Sequence, residues 1–159
     1  MLNIVLVHPQ IPQNSGSIGR MCVNIGATLH IVKPTLFNLD EKSVKRAGLD
    51  YWHLLDLKVW ESLEEFLEKN SKDSARFFYA TTKAKKLYFE ATFKQDDFLL
   101  FGGESTGLPP FLLEKNPNQS IKIPMGKDGR SLNLATSVGI VAYEAIRQNF
   151  NHFKDELSY

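Results

Sequence analysis

Leu2-Asn3-Ile4-Val5-Leu6-Val7 is a nearly unbroken apolar run, rich in β-branched side chains and interrupted only by Asn3. An amphipathic helix or a half-exposed strand would show polar residues at a fixed period, and this run does not. It reads as a strand buried on both faces. That environment exists where helices cover a parallel sheet from above and below.

The rest of the chain continues the alternation. His8-Pro9-Gln10-Ile11-Pro12-Gln13 ends the run, because each proline lacks an N–H and pushes its predecessor out of the helical region. A helix is expected next, capped by Asn14 or Ser15, with Ile18, Met21, Cys22 and Ile25 at helical spacing and Gly26 at its end. Further strands are expected at about 28–32, 76–81, 97–101 and 120–123. Helices are expected near 41–47, from a capping box at Ser62-Leu63-Glu64-Glu65 to about Asn70, over 108–114 and from about 133 to 149. Residues 51–60 are ambiguous. The fold class is therefore α/β, a mostly parallel sheet with helices on both faces. A chain of 159 residues makes one domain, residues 1–150, followed by a polar tail, 151–159, expected to fray. Ligands of such sheets sit beyond the carboxyl ends of the strands, which directs attention to the loops at 8–14, 81–86, 102–109 and 124–133.

Composition narrows the function classes. Nineteen Lys+Arg against eighteen Asp+Glu give a net charge of +1, which argues against coating nucleic acid by bulk positive charge while leaving local patches possible. The single cysteine, Cys22, forms no internal disulfide, and no Cys/His cluster has zinc-ligand spacing, so no metal is expected. The N-terminal run lacks a basic flank and a cleavage site, and no apolar stretch approaches ~18 residues. The expectation is a cytoplasmic protein with no membrane partner.

The most distinctive local feature is Phe101-Gly102-Gly103-Glu104-Ser105-Thr106-Gly107-Leu108-Pro109-Pro110, directly after an expected strand. Gly103-Glu104-Ser105-Thr106-Gly107 matches the G-x-S-x-G nucleophile elbow, and Asp128 and His152 follow in hydrolase order. Pro109 and Pro110 oppose that reading, because they fall where the second turn of the required helix should form. His152 lies in the expected tail, a poor support for a general base. The first strand-to-helix turn has no G-x-G-x-x-G, and the P-loop pattern is absent. What Gly102, Gly103 and Gly107 offer is close backbone approach to a flat ligand. The 121–133 segment leaves a strand, passes Gly126 and Gly129, and reaches a helix start carrying Ser131 and Asn133, either of which can cap it.

Three segments together carry a resemblance. Ile11-Pro12-Gln13-Asn14-Ser15-Gly16 with Arg20, then Phe101 through Pro109, then Ile123-Pro124-Met125 through Arg130-Ser131-Leu132-Asn133-Leu134 to Tyr143-Glu144-Ala145 resemble the three motifs of the SPOUT RNA methyltransferases. Within that superfamily the chain is similar to the small tRNA 2′-O-methyltransferases of the TrmL (YibK) type. The likeness runs from Met1 to about Phe150 and includes Arg46-Ala47-Gly48-Leu49-Asp50-Tyr51 and Ala80-Thr81-Thr82-Lys83.

The resemblance implies a C-terminal deep trefoil knot, S-adenosylmethionine (SAM) as methyl donor, and a homodimer whose active sites use both chains. It implies methylation of the ribose 2′-hydroxyl of the wobble nucleotide 34, a cytidine or modified uridine, in leucine tRNAs, with the tRNA anticodon region as partner. Two alternatives remain: 2′-O-methylation at another tRNA or rRNA position, and a SAM-binding RNA-binding or assembly factor without turnover. Carried over by motif, the cofactor site comprises Ala80, Gly102, Gly107, Ile123, Ser131 and Leu132. The catalytic residues are Arg20 and Asn133, and the RNA contacts are Arg20, Lys83, Arg130 and Tyr143. A guanidinium is hard to deprotonate, so Arg20 is expected to orient the 2′-hydroxyl or a phosphate and stabilise charge, not to act as base. Lys85, Lys86 and Lys127 lie in ligand-side loops, and Lys42, Lys45 and Arg46 form a separate cluster. The chain departs from many relatives at Thr106, where they carry a basic residue, and at Ala135-Thr136, where they carry Ser-Asn.

Overall fold

In the computed structural model, which describes residues 1–39, 50–72, 74–155 and 157, a seven-stranded sheet runs in the order β3-β2-β1-β6-β4-β7-β5. The strands are β1 (Asn3–Val7), β2 (Thr28–Val32), β3 (Leu57–Trp60), β4 (Phe77–Ala80), β5 (Lys86–Leu87), β6 (Phe98–Gly102) and β7 (Ser120–Lys122). Every pairing is parallel, so all carboxyl ends share one edge. The helices are α1 (Pro12–Ile25), α2 (Leu63–Asn70), α3 (Pro110–Lys115), α4 (Leu134–Gln148) and α5 (Phe150–Phe153). The helix expected near 41–47, the Lys42/Lys45/Arg46 cluster and the 46–49 part of the family-like segment lie outside the described residues.

The apolar run becomes the central strand for the reason its pattern suggests. Side chains alternate between faces, so Leu2, Ile4 and Leu6 join one core while Val5 and Val7 join another. The first core is closed by Ile18, Cys22 and Ile25 of α1, the expected stripe, and by Val138, Val141 and Ala145 of α4. The second is closed by Leu63 and Phe66 of α2 and Leu112 of α3. Burial pushes the Cys22 thiol up to about 12, so this cysteine packs as an apolar residue.

His30 of β2 belongs to the second face, stacked on Trp60 and edge-on to Phe66 and Phe98. Trp60 Nε1 can only donate, so His30 Nδ1 accepts it at 3.1 Å, and Nε2–H faces Asn3 Oδ1 at 3.1 Å. Burial holds this imidazole neutral, with its pKa down at about 4.

Several local expectations change. Helix α1 starts at Pro12, whose missing N–H costs nothing at a helix start, and Ile11 is its uncapped N-cap; Asn14 and Ser15 are buried inside the helix. Gly26 ends α1 at φ 63°, as expected. The Ser62 cap holds, its hydroxyl accepting from Glu65 N at 3.1 Å. Residues 51–60 resolve into a short 3₁₀ turn, Trp52–Leu54, and the edge strand β3. Strand β5 and the 3₁₀ turn Tyr88–Glu90 were not anticipated, because elements so short show no periodicity. The start of the tail is not frayed: Phe150–Phe153 is helical and Phe153 is only 2% exposed. One aromatic anchor among polar neighbours is enough to dock it.

Candidate active site

The chain adds β2 and β3 on one side of β1, then reverses to build β6, β4, β7 and β5 on the other. Such a switch in strand order leaves a crevice beyond the carboxyl ends. A cavity of about 520 Å³ opens there, walled by the segments that follow β4, β6 and β7 and by the start of α4. Ala80, Gly102, Gly107, Ile123, Ser131 and Leu132 all line it, as do Asn133 and Lys83.

The glycines are required by close approach. A Cβ on Gly102 would stand 1.9 Å from the Gly107 carbonyl carbon and 2.1 Å from Leu108 N, so no side chain fits. Gly107 adopts φ 67° and its N–H donates to the Gly103 carbonyl at 2.8 Å, folding the loop back on itself. The loop is no nucleophile elbow. The Ser105 hydroxyl and N–H both donate to Gln10 Oε1, at 2.8 and 2.7 Å, and the next helix begins only at Pro110. An amide oxygen is not a base that activates a serine.

A latch joins the three loops. Glu104 accepts from Gln10 N at 2.7 Å, from Ile11 N at 3.0 Å and from Asn14 Nδ2 at 3.1 Å. Asn14 Oδ1 accepts from Asn133 Nδ2 at 2.9 Å, and Asn133 Oδ1 caps α4 by accepting from Thr136 N at 3.2 Å. The Glu104 carboxylate thus supplies the N-terminus of α1 with the negative charge and acceptors that its own sequence lacks. The cap on α4 uses the backbone N–H of Thr136, so the departure at Ala135-Thr136 leaves it intact. Ahead of the latch, His8 holds φ 55°, and its carbonyl lies 2.6 Å from where a Cβ on Gly103 would be.

Sequence reasoning missed Glu104, Gln10 and the bridging role of Asn14. The available signal was a lone carboxylate inside an otherwise uncharged glycine loop. Lys122, which also lines the cavity, was missed too.

Arg20, Arg130 and Tyr143 do not line this cavity. Arg20 is exposed on α1 with its guanidinium carbon 5.0 Å from the Tyr51 ring centroid. Arg130 is exposed in the 123–133 loop, and Tyr143 is 54% exposed on α4. Lys86 donates to the Asn118 carbonyl at 3.2 Å, beside β5. Among the described residues no group of three or more His, Cys, Asp or Glu could hold a metal ion, and no helix is long and apolar enough to cross a membrane.

The pattern of the SpoU rRNA Methylase family matches residues 1–143. A tRNA (cytidine(34)-2′-O)-methyltransferase of Yersinia pestis is 45% identical over 152 residues, covering 93% of this chain and 94% of that protein. A solved structure described as "Structural insights into the 2-OH methylation of C/U34 on tRNA" superposes with a TM-score of 0.88 at 44% identity, covering 95% of this chain and 97% of that one. The SpoU methyltransferase AviRb of Streptomyces viridochromogenes, in complex with AdoMet, superposes with a TM-score of 0.79 at 25% identity, covering 95% of this chain and 61% of that one.

Proposed function

The chain belongs to the SpoU rRNA methylase family, and from that membership we propose that it is a SAM-dependent methyltransferase acting on the ribose 2′-hydroxyl of nucleotide 34, cytidine or uridine, of leucine tRNAs. The observation that carries this reading is convergence. Six residues taken from the second and third motifs and from the Ala80–Lys83 segment line one cavity, and a hydrogen-bonded latch ties the second and third motifs to the first.

The cavity suits SAM. Its volume is of the usual order for a small-molecule site, and Gly107, with open space where a Cβ would stand, presents bare backbone to a flat base. When bound, SAM supplies an activated methyl on a sulfonium, so positioning can contribute on the order of 7–11 kcal/mol of the acceleration. Gly102, Gly107 and Ile123 would hold the cofactor through backbone atoms. Asn133 holds the start of α4 beside it, and Ser131 offers a hydroxyl to cofactor or substrate. Arg20 stays protonated, orients the 2′-oxygen or its phosphate, and stabilises the negative charge that develops as the hydroxyl loses its proton. Lys83 and Arg130 meet phosphates, and Tyr143 stacks on an unpaired anticodon base.

The working form is a cytoplasmic homodimer with a trefoil knot. Support for the dimer comes from Arg20 and Tyr143 standing outside their own cavity, whose lining includes the exposed apolar Ile11 and Leu132. Support for the knot comes from β7, late in the chain, lying between the earlier strands β4 and β5. Labelled SAM and tRNA from cells lacking this activity test the reading, with the modified nucleotide mapped by mass spectrometry. Label at the 2′-oxygen of nucleotide 34 in leucine tRNAs is expected. Binding of both SAM and tRNA without transfer would overturn the catalytic assignment in favour of a binding factor.

A further inference from the structure

Tyr51 stands outside the cavity and no step above uses it, yet it holds one turn of α1 at two points. Its hydroxyl donates to the Gly16 carbonyl at 2.5 Å, and its ring lies under the Arg20 guanidinium, 5.0 Å from centroid to Cζ. Gly16 and Arg20 are i and i+4 on α1, so the carbonyl that takes the phenol is also the helical acceptor for the Arg20 N–H. Trp52 and Leu55 press on the same turn. A Cβ on Gly19 would lie 3.1 Å from Trp52 Cζ3 and 3.3 Å from Leu55 Cδ2, which keeps the residue beside Arg20 small.

The kind of partner matters. Among the described residues no carboxylate pairs with Arg20. A carboxylate would restrain the side chain by occupying its donors and neutralising its charge, which defeats a group meant to stabilise negative charge elsewhere. An aromatic face restrains the guanidinium plane without neutralising its charge. Burial raises the Tyr51 phenol above its ordinary value, so the hydroxyl stays a donor to Gly16 and is unsuited to act as a base.

We propose that Tyr51 is a positioning residue for methyl transfer: its ring presets the Arg20 guanidinium for the substrate, and its hydroxyl pins that ring to α1. The proposal rests on the reading of Arg20 as the charge-stabilising group.

The test uses the full-length protein with leucine tRNA under saturating SAM. The variants are Tyr51→Phe, Tyr51→Leu, Arg20→Ala and the double variant Tyr51→Leu/Arg20→Ala. Tyr51→Leu is expected to lower the single-turnover rate about tenfold, with SAM affinity and unfolding temperature nearly unchanged. Tyr51→Phe keeps the ring and should recover most of that loss. The double variant should be no slower than Arg20→Ala alone. In nitrogen-15 spectra the Arg20 Nε–H resonance should show a ring-current shift in wild type and Tyr51→Phe, lost in Tyr51→Leu.

An unshifted Arg20 resonance in the wild type overturns the proposal without any variant. So does a Tyr51→Leu protein at full rate, or an equal loss from Tyr51→Leu with Arg20 present or absent. Full activity of Arg20→Ala would instead overturn the reading of Arg20 itself.

Discussion

The cavity and the groups that surround it are held by different means. Its walls are backbone segments that touch one another, with Gly102 against Gly107 and Leu108, and the Glu104–Asn14–Asn133 latch spanning three loops. Arg20, Arg130 and Tyr143 stand outside on exposed surface, and Arg20 is held by the Tyr51 ring. A single chain therefore contains a complete, preorganised pocket for a small molecule. Lys83 and Lys122 line that pocket, whereas Arg20, Arg130 and Tyr143 are not gathered around it.

The sharpest way to break this contrast is Gly102→Ala. Its Cβ would overlap the Gly107 backbone, so SAM binding measured by calorimetry should disappear; a variant that binds normally would mean the loop is not rigid. Arg20→Ala should do the reverse, cutting methyl transfer by about 10²–10³-fold with SAM affinity nearly unchanged. Equal loss of both would place Arg20 in the cofactor wall.

Acid should act on both regions alike, through the core. The His30 pKa falls from 6.5 to about 4 on folding, so between those values the unfolded chain binds more protons and stability falls as pH drops. The loss should approach about 3 kcal/mol near pH 4 in denaturant titrations, and His30→Phe should flatten that slope. Glu104→Gln replaces one acceptor oxygen by a donor facing the N–H groups of Gln10 and Ile11. It should cost about 1–3 kcal/mol in unfolding free energy and weaken SAM binding and transfer together, because the latch shapes the pocket. Lys83→Ala should have the smallest effect, raising KM for tRNA a few-fold and reducing the salt dependence of binding by about one unit of slope, without touching SAM affinity.

Much of this is legible in the sequence. The alternation of apolar runs and helical stripes implied a parallel α/β sheet, and the motif glycines and strand ends fell together at the cavity. The latch was not legible, because Glu104, Asn14 and Asn133 are separated by 90 and 119 positions and nothing local marks them as partners. Nor was the Tyr51 contact, which joins the start of a 3₁₀ turn to a helix earlier in the chain.

By itself the sequence determined the strands other than the edge strand β3 and the two-residue β5, which faces are apolar, and where side chains must be absent, since burial and backbone freedom are properties of individual residues and their spacing. Tertiary structure alone decided which loops meet. That choice turns on long-range hydrogen bonds whose geometry exists only after the strands have taken their order, and that order puts Glu104, Asn14 and Asn133 in contact and leaves Arg20 outside the cavity, stacked on Tyr51.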